Sequence, residues 1–346
     1  MSNKETAQAT DSSSESTATI RGSSGLANRV LARRELGVLL GFLVLVSLIA
    51  VTRPDIFFNW DTISGVFSRL LRQVSSYIII GVGMTYLIVG GEFDLSVGSM
   101  FAVGGIVFGL LTGDGYSVLI AISAVIVLGA VIGAANGAIV TKAGVPSLIA
   151  TIGMLSVLRG VALFLTPGGS RSVNDDISFV NLFGGSHNII GVEITNQVFW
   201  ALGVLILFAV LLQKTRFGYH VYAVGDDEQA ASNSGINTDR VKIINFVLTA
   251  ALSAFAGVLS ITYFGTMFGT AGSGFELLVI AAVVIGGTNL FGGEGSLLGT
   301  FLGALVIGII PILLVLNGLA VEIQEFLTGV VIIAAVLVDI FIRKRG

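Results

Sequence analysis

The sequence predicts an all-α integral membrane protein of about ten transmembrane helices, arranged in two related halves with glycine-rich helix breaks. Three observations predict it. Hydrophobic residues make up 54% of the chain and charged residues only 11%, apolar runs of spanning length recur, and 46 glycines punctuate them. A soluble domain carries roughly 25% charged residues, whereas a helix needs about 20 mostly apolar residues to cross a bilayer. Glycine lets helix backbones approach closely in lipid and tolerates breaks. The absence of cysteine excludes disulfides, thiolate metal sites and cysteine nucleophiles. The net charge of -3 selects no partner.

Along the chain, residues 1–35 are rich in Ser and Thr with almost nothing to bury, which predicts a disordered polar tail. The first apolar run, 36–52, is long enough to span and has no small-residue cleavage site after it, so it reads as a transmembrane helix and not a signal peptide. Further runs follow at about 74–90, 96–112, 117–140, 147–166, 198–213, 241–264, 275–288, 296–316 and 321–341. Basic residues favour short cytoplasmic loops. With both termini inside, Lys4, Arg21, Arg29, Arg33, Arg34, Lys142, Lys214, Arg216, Arg240, Lys242, Arg343, Lys344 and Arg345 are cytoplasmic; Arg53, Arg69, Arg72 and Arg171 are external, and Arg159 lies in a helix. An even number of spans fits this asymmetry. The expected domain covers 36–342, in halves of about 36–213 and 241–342 joined by a cytoplasmic loop at 214–241, with a basic end at 343–346.

The halves echo one another. "IVGGEFDLSVGS" and "VIGGTNLFGGEGS" share a glycine pair, a short polar break holding an acid, and Gly-Ser opening a glycine-spaced helix, with Gly98 falling on Gly295. Matching interrupted hydrophobic segments point to a transporter with its pathway at the repeat interface; a chance pairing, of the kind any glycine-rich membrane protein produces, is the plainer reading. The candidate pathway or break residues are Gly91, Glu92, Asp94 and Ser96 in the first half, Asn136 on a later helix, and Gly287, Thr288 and Asn289 in the second half. A carboxylate at mid-bilayer costs about 2.5–3.5 kcal/mol, so it needs a water path, a helix terminus or a partner. Asp94, just before a continuous apolar run, suits a helix cap; direct contact with a solute is the alternative. Glu92 and Glu294 read as solvated groups facing the cytoplasm.

The joining loop contains "GDDEQAASNSGI". Asp226 and Asp227 read as helix-start acids, Glu228 and Ala231 as helix interior, and Gly235 before Ile236 as the stop, with Gly225 just upstream. A short helix over about 227–235 would present a lever for a partner's groove; a solvated connector is the plainer reading. Elsewhere, Gly105 with Gly109, Gly133 with Gly137, and Gly299 with Gly303 have the small-xxx-small spacing of helix packing. Arg159 reads as reaching the external interface. His187 and His220 lie far apart, which argues against a metal site, and no cofactor or nucleic acid is expected.

Four blocks, at residues 93–99, 135–160, 215–237 and 274–305, occur in an order that resembles the permease subunits of ABC importers for simple sugars of the ribose, xylose, arabinose and galactose type. The resemblance covers residues 36–346. It implies a homodimer in the cytoplasmic membrane that takes a monosaccharide from an extracytoplasmic binding protein and is driven by a separate cytoplasmic ABC ATPase docked on a coupling helix at about 227–235. In keeping with that division, no lysine follows a glycine anywhere, so the chain has no Gly-Lys phosphate loop. Glu92 departs from the usual second glycine before the Asp-Leu-Ser motif, Glu294 replaces a commonly basic or neutral residue, and the 167–197 loop lacks a proline-rich end. A neutral polyol needs no counter-charge, so few charged residues are expected in the passage, and no micromolar sugar site without the binding protein. An ion-coupled secondary transporter using Glu92 or Asp94 is the main alternative, and a non-transporting scaffold a third.

Overall fold

The computed structural model describes residues 34–320 apart from 168 and 174–179, together with 322, 323, 326, 327, 329, 330 and 333. Nearly all of the expected polar tail, most of the tenth expected span and the basic end lie outside the described residues. The elements in order are α1 (Arg34–Thr52), α2 (Pro54–Phe57), α3 (Trp60–Val89), α4 (Val97–Gly113), α5 (Val118–Ala143), α6 (Ser147–Leu165), β1 (Ser170–Ser172), α7 (Val180–Gly184), β2 (Ser186–Ile189), β3 (Val192–Thr195), α8 (Asn196–Lys214), α9 (Arg216–Asp226), α10 (Glu228–Asn233), α11 (Thr238–Phe264), β4 (Thr266–Phe268), α12 (Phe275–Ile285) and α13 (Leu297–Leu316).

Among the described residues, seven helices are long and apolar enough to cross a membrane: α1, α3, α5, α6, α8, α11 and α13. The runs expected at 96–112 and 275–288 form shorter apolar helices, α4 of 17 residues and α12 of 11. At about 1.5 Å per residue, neither alone covers a hydrocarbon core about 30 Å thick. The spanning segment of α3 is 83% buried and those of α11 and α13 are 67% buried, against 22% for α6 and α8, which puts the first three at the centre. α11 packs on α3, α4 and α5, and α13 on α1, α3 and α12. Exposed side chains on the outer helices are apolar, as at Leu119 and Val127 of α5, Ile149 and Phe164 of α6, and Ile206 and Val210 of α8. That is the surface a lipid-facing helix needs.

Small residues set how closely these helices approach. An added Cβ at Gly133 would lie 2.4 Å from the Phe246 carbonyl oxygen, and one at Gly137 2.8 Å from Ile243 Cα, so this stripe seats α5 on α11 within one chain. Gly133→Val is expected to destabilise the fold by about 1–3 kcal/mol, the usual cost of overpacking. Gly153→Ala, where a Cβ meets open space, should change little. Thermal unfolding in detergent checks both, and equal midpoints would remove the stripe from its role.

Two sequence expectations are corrected. α3 begins at Trp60 and not near 74, because the Asn59 side chain accepts a hydrogen bond of 3.0 Å from the Asp61 backbone N–H and starts the helix early. Arg69, Arg72 and Gln73 therefore lie inside a helix; a scan for apolar runs discards polar turns that a protein interior can shelter. The described chain is also not wholly α. β1 pairs antiparallel with β4 through Arg171 opposite Met267, and β2 with β3 through His187 opposite Ile194. The β2–β3 turn places Ile190 and Gly191 at φ 53 and 82, the left-handed pair of a tight hairpin, and the Trp60 indole donates to the Ile190 carbonyl at 3.2 Å. Arg159 donates to the Gly269 and Ala271 carbonyls at 2.7 and 2.8 Å, just after β4, and holds the approach to α12.

Candidate functional site

α3 and α12 end in the same way. Gly90, Gly91 and Glu92 donate their backbone N–H groups to the carbonyls of Tyr86, Ile88 and Leu87, and Gly286, Gly287 and Thr288 donate to those of Ala282, Val284 and Val283. This is the glycine-closed helix terminus, with Gly91 at φ 81 and Gly287 at φ 93. The matching residues are 196 apart, whereas α4 and α13 start 200 apart, at Val97 and Leu297. The second turn is therefore four residues longer, and Asn289 organises it: its side chain accepts from the Phe291 N–H at 3.1 Å and its own N–H donates to the Glu294 carbonyl at 2.8 Å. Thr288 is fully buried and Glu294 exposed.

The two turns meet each other and the joining loop. The Gly293 N–H donates to the Val89 carbonyl at 2.9 Å. Into that junction α9 inserts Gly225, where an added Cβ would stand 1.7 Å from the Val89 oxygen and 2.8 Å from the Gly293 nitrogen. The Gly91 and Gly292 positions likewise face Gly225. Tyr222, one turn earlier, donates its hydroxyl to the Gly295 carbonyl at 2.7 Å, and the Phe217 ring stacks on Tyr86 of α3 with centroids 6.2 Å apart. α9 thus touches both turns at once.

The sequence places residues 214–225 in a loop, whereas the structure forms α9 there. Thr215 caps it, accepting from the Gly218 N–H at 3.3 Å. The signal was present: Phe217, Val221 and Val224 recur at helical spacing, and the two valines are buried. Asp226 is consequently the last residue of α9 and does not start a helix. Asp227 does: its carboxylate accepts from the Ala230 N–H at 2.9 Å and caps α10. Gly235 closes α10 at φ 85, and the Ile236 N–H returns to the Ala231 carbonyl at 3.1 Å. Ala231 is buried and Ile236 partly buried, while the rest of α10 faces outward.

Glu92 is not solvated. It is 9% exposed, and its carboxylate lies 2.8 Å from the ammonium of Lys242 on α11, which also reaches Glu228 of α10 at 2.8 Å. Lys242 thus ties the first turn to α10, a contact the sequence did not single out because 150 residues separate it from Glu92. Lys142 of α5 pairs with Asp239 nearby.

Asp94 is fully buried. Its Oδ1 accepts from the Ser96 N–H at 2.8 Å and the Ser96 hydroxyl at 2.5 Å, and its Oδ2 from the Asn136 amide at 3.3 Å. The Asn136 amide also donates to the Ser96 hydroxyl at 3.1 Å. The helix proper starts after Ser96, so Asp94 ties down the approach to α4 from two residues before the cap position and joins it to α5. Among the described residues, no three acidic or histidine side chains are grouped as a metal site would need.

Residues 66–336 match the family described as branched-chain amino acid transport system / permease component. The ribose import permease protein RbsC of Escherichia coli K12 is 39% identical over 304 residues, covering 87% of this chain and 92% of its own. RbsC of Bacillus subtilis 168 is 36% identical over 314 residues, 90% and 94% of the two chains. The L-arabinose ABC transporter permease protein AraH of Azospirillum brasilense is 33% identical over 309 residues, 89% and 88%. No solved structure matches the chain. With most of its length matched and full-length permeases more than one-third identical, the chain belongs to this permease family as a multi-pass membrane protein.

Proposed function

We propose that the chain is the membrane-spanning subunit of an ATP-driven, binding-protein-dependent importer that moves a monosaccharide, a pentose or hexose, into the cell. In this reading ten membrane segments form two halves, at about 36–213 and 241–342, with both termini cytoplasmic. Two copies enclose the passage, a separate ABC ATPase hydrolyses nucleotide inside, and an extracytoplasmic binding protein delivers the sugar. The support for sugar is the ribose and arabinose naming of the relatives. The geometry that carries the drive is the Gly225 junction. A short helix, capped by Asp227 and exposed on all sides but Ala231, continues directly from a helix seated on both glycine turns. Such a helix can lie in a partner's groove, and motion of the partner would reach α3 and α12 together.

The ion-coupled alternative needs Glu92 or Asp94 free to exchange protons with a water path, yet Glu92 is paired with Lys242 and Asp94 is held by Ser96 and Asn136. Vesicle uptake separates the readings. The importer should need internal ATP and external binding protein and should tolerate a protonophore; uptake on an ion gradient alone would sink it. Gly235→Pro, which demands a φ near -65° where the backbone holds 85°, and Asp227→Lys, which removes the cap, are both expected to uncouple ATP hydrolysis from uptake. Unchanged uptake in both would remove α10 from its role.

A further inference from the structure

Of the residues expected to line a passage, Gly91 meets α9 while Asp94, Ser96 and Asn136 bond one another, and a separate cavity lies elsewhere. About 350 Å³ in volume, it is lined by α3, α4, α8, α11, α12 and α13, away from the glycine turns. We propose that this cavity is the station where the neutral polyhydroxyl substrate is held during passage, with Phe101 and Phe275 as its stacking floor, Gln73 and Ser76 as its hydrogen-bonding wall, and Arg69 and Arg72 at its rim. The inference rests on the importer reading above.

The size falls at the lower end of the roughly 300–1,000 Å³ typical of small-molecule sites, which suits a single sugar ring. The floor is rigid. The Phe101 and Phe275 rings lie 5.1 Å apart, and Tyr77 buttresses Phe275 edge-on at 5.2 Å. Aromatic rings offer an apolar face to the C–H side of a sugar, while an amide and a hydroxyl can both donate to and accept from its hydroxyls. Pro311 of α13, also in the wall, removes a backbone donor in mid-helix, a feature membrane helices tolerate beside cavities.

The rim carries the cavity's charge. Among the described residues, neither Arg69 nor Arg72 has a carboxylate within ion-pair distance. Arg72 instead donates to the Tyr263 hydroxyl at 2.7 Å and lies 4.8 Å from that ring's centroid and 5.6 Å from that of Phe264. A second, more polar recess shares both arginines and is also lined by Asp61 and Glu193. Two acids set against two bases leave no net charge to favour an ion, and they multiply the hydrogen-bonding groups a polyol can exchange along the way. The charges expected to be scarce in the passage are therefore present at the rim, with acids in the adjoining recess.

The test uses the assembled importer in liposomes, with the ATPase, the binding protein outside, and labelled ribose and arabinose as probes. Phe275→Leu is expected to lower ATP-driven uptake about tenfold while hydrolysis stimulated by loaded binding protein stays within about twofold; Phe275→Tyr, which keeps the ring, should transport as the parent does. Because the chain has no cysteine, Ser76→Cys supplies a single reporter. A membrane-impermeant thiol reagent applied outside should cut its uptake at least about fivefold, by blocking the cavity, and spare the parent. Uptake and hydrolysis lost in equal measure in Phe275→Leu, or full uptake by that variant or by thiol-treated Ser76→Cys, overturns the proposal. A parent complex that moves neither sugar on ATP overturns the importer reading itself, and the cavity's ligand with it.

Discussion

Gly225→Ala is expected to cut ATP-driven uptake by between about fivefold and 150-fold, the range that a coupling loss of about 1–3 kcal/mol produces. The reason is space. The new methyl would have to occupy a point 1.7 Å from the Val89 carbonyl oxygen, and neither that backbone nor that of Gly293 can give way as a flexible side chain would. α9 must then lift from the junction, and the Tyr222 hydrogen bond to Gly295 is lost with it. α10 itself, capped locally by Asp227, keeps its own hydrogen bonds. The ATPase should therefore still bind, and its basal hydrolysis persist, while stimulation by loaded binding protein disappears. Measuring ATPase co-purification, basal hydrolysis and uptake on the same preparation distinguishes this from misfolding. A variant that couples normally would show that α9 does not transmit motion through the junction.

Lys242→Met should cost more than any other removal of a charge near this end. Lys242 and Glu92 expose only 13% and 12% of their side chains, so deleting the cation leaves a poorly hydrated carboxylate unpaired. Breaking a buried pair in this way costs about 3–5 kcal/mol, and partial solvent access should bring the result toward the lower figure. Glu228→Gln removes the other contact, but Glu228 is half exposed, and such pairs contribute about 0–1 kcal/mol. The double variant Glu92→Gln/Lys242→Met removes both charges and should recover most of the loss. Thermal unfolding of the parent, Glu92→Gln, Lys242→Met and the double variant closes the cycle, with Glu228→Gln measured beside them. If Lys242→Met proved no worse than Glu228→Gln, the tie between the first turn and α11 would be a surface contact without structural weight.

How much of this was legible in the sequence depends on how local the cause is. The short helix after Asp227 was read almost to the residue, because an N-cap acid and a left-handed glycine act through bonds to their near neighbours. The paired glycine turns were legible as a repeat for the same reason. α9 was missed because Gly218 and Gly225 looked like loop residues, whereas each is required for contact with backbone elsewhere, Leu212 and Val89. Glu92 was misjudged because its partner lies 150 residues away. The early start of α3 was lost because arginines inside an apolar helix lower its apparent hydropathy, although a cavity and the Tyr263 and Phe264 rings accommodate Arg72.

By itself, then, the sequence determined that the chain lives in a membrane, where most of its long helices lie although not where α3 starts or that α9 exists, and the local chemistry of the α10 cap. These follow from composition and from interactions within a helical turn or two, which the order of residues specifies directly. Only the tertiary structure decided that Gly225 joins both turns, that Lys242 holds Glu92 to Glu228, and that a cavity opens among six helices. Each depends on groups brought together from distant parts of the chain, and packing of whole helices, not sequence spacing, sets those distances.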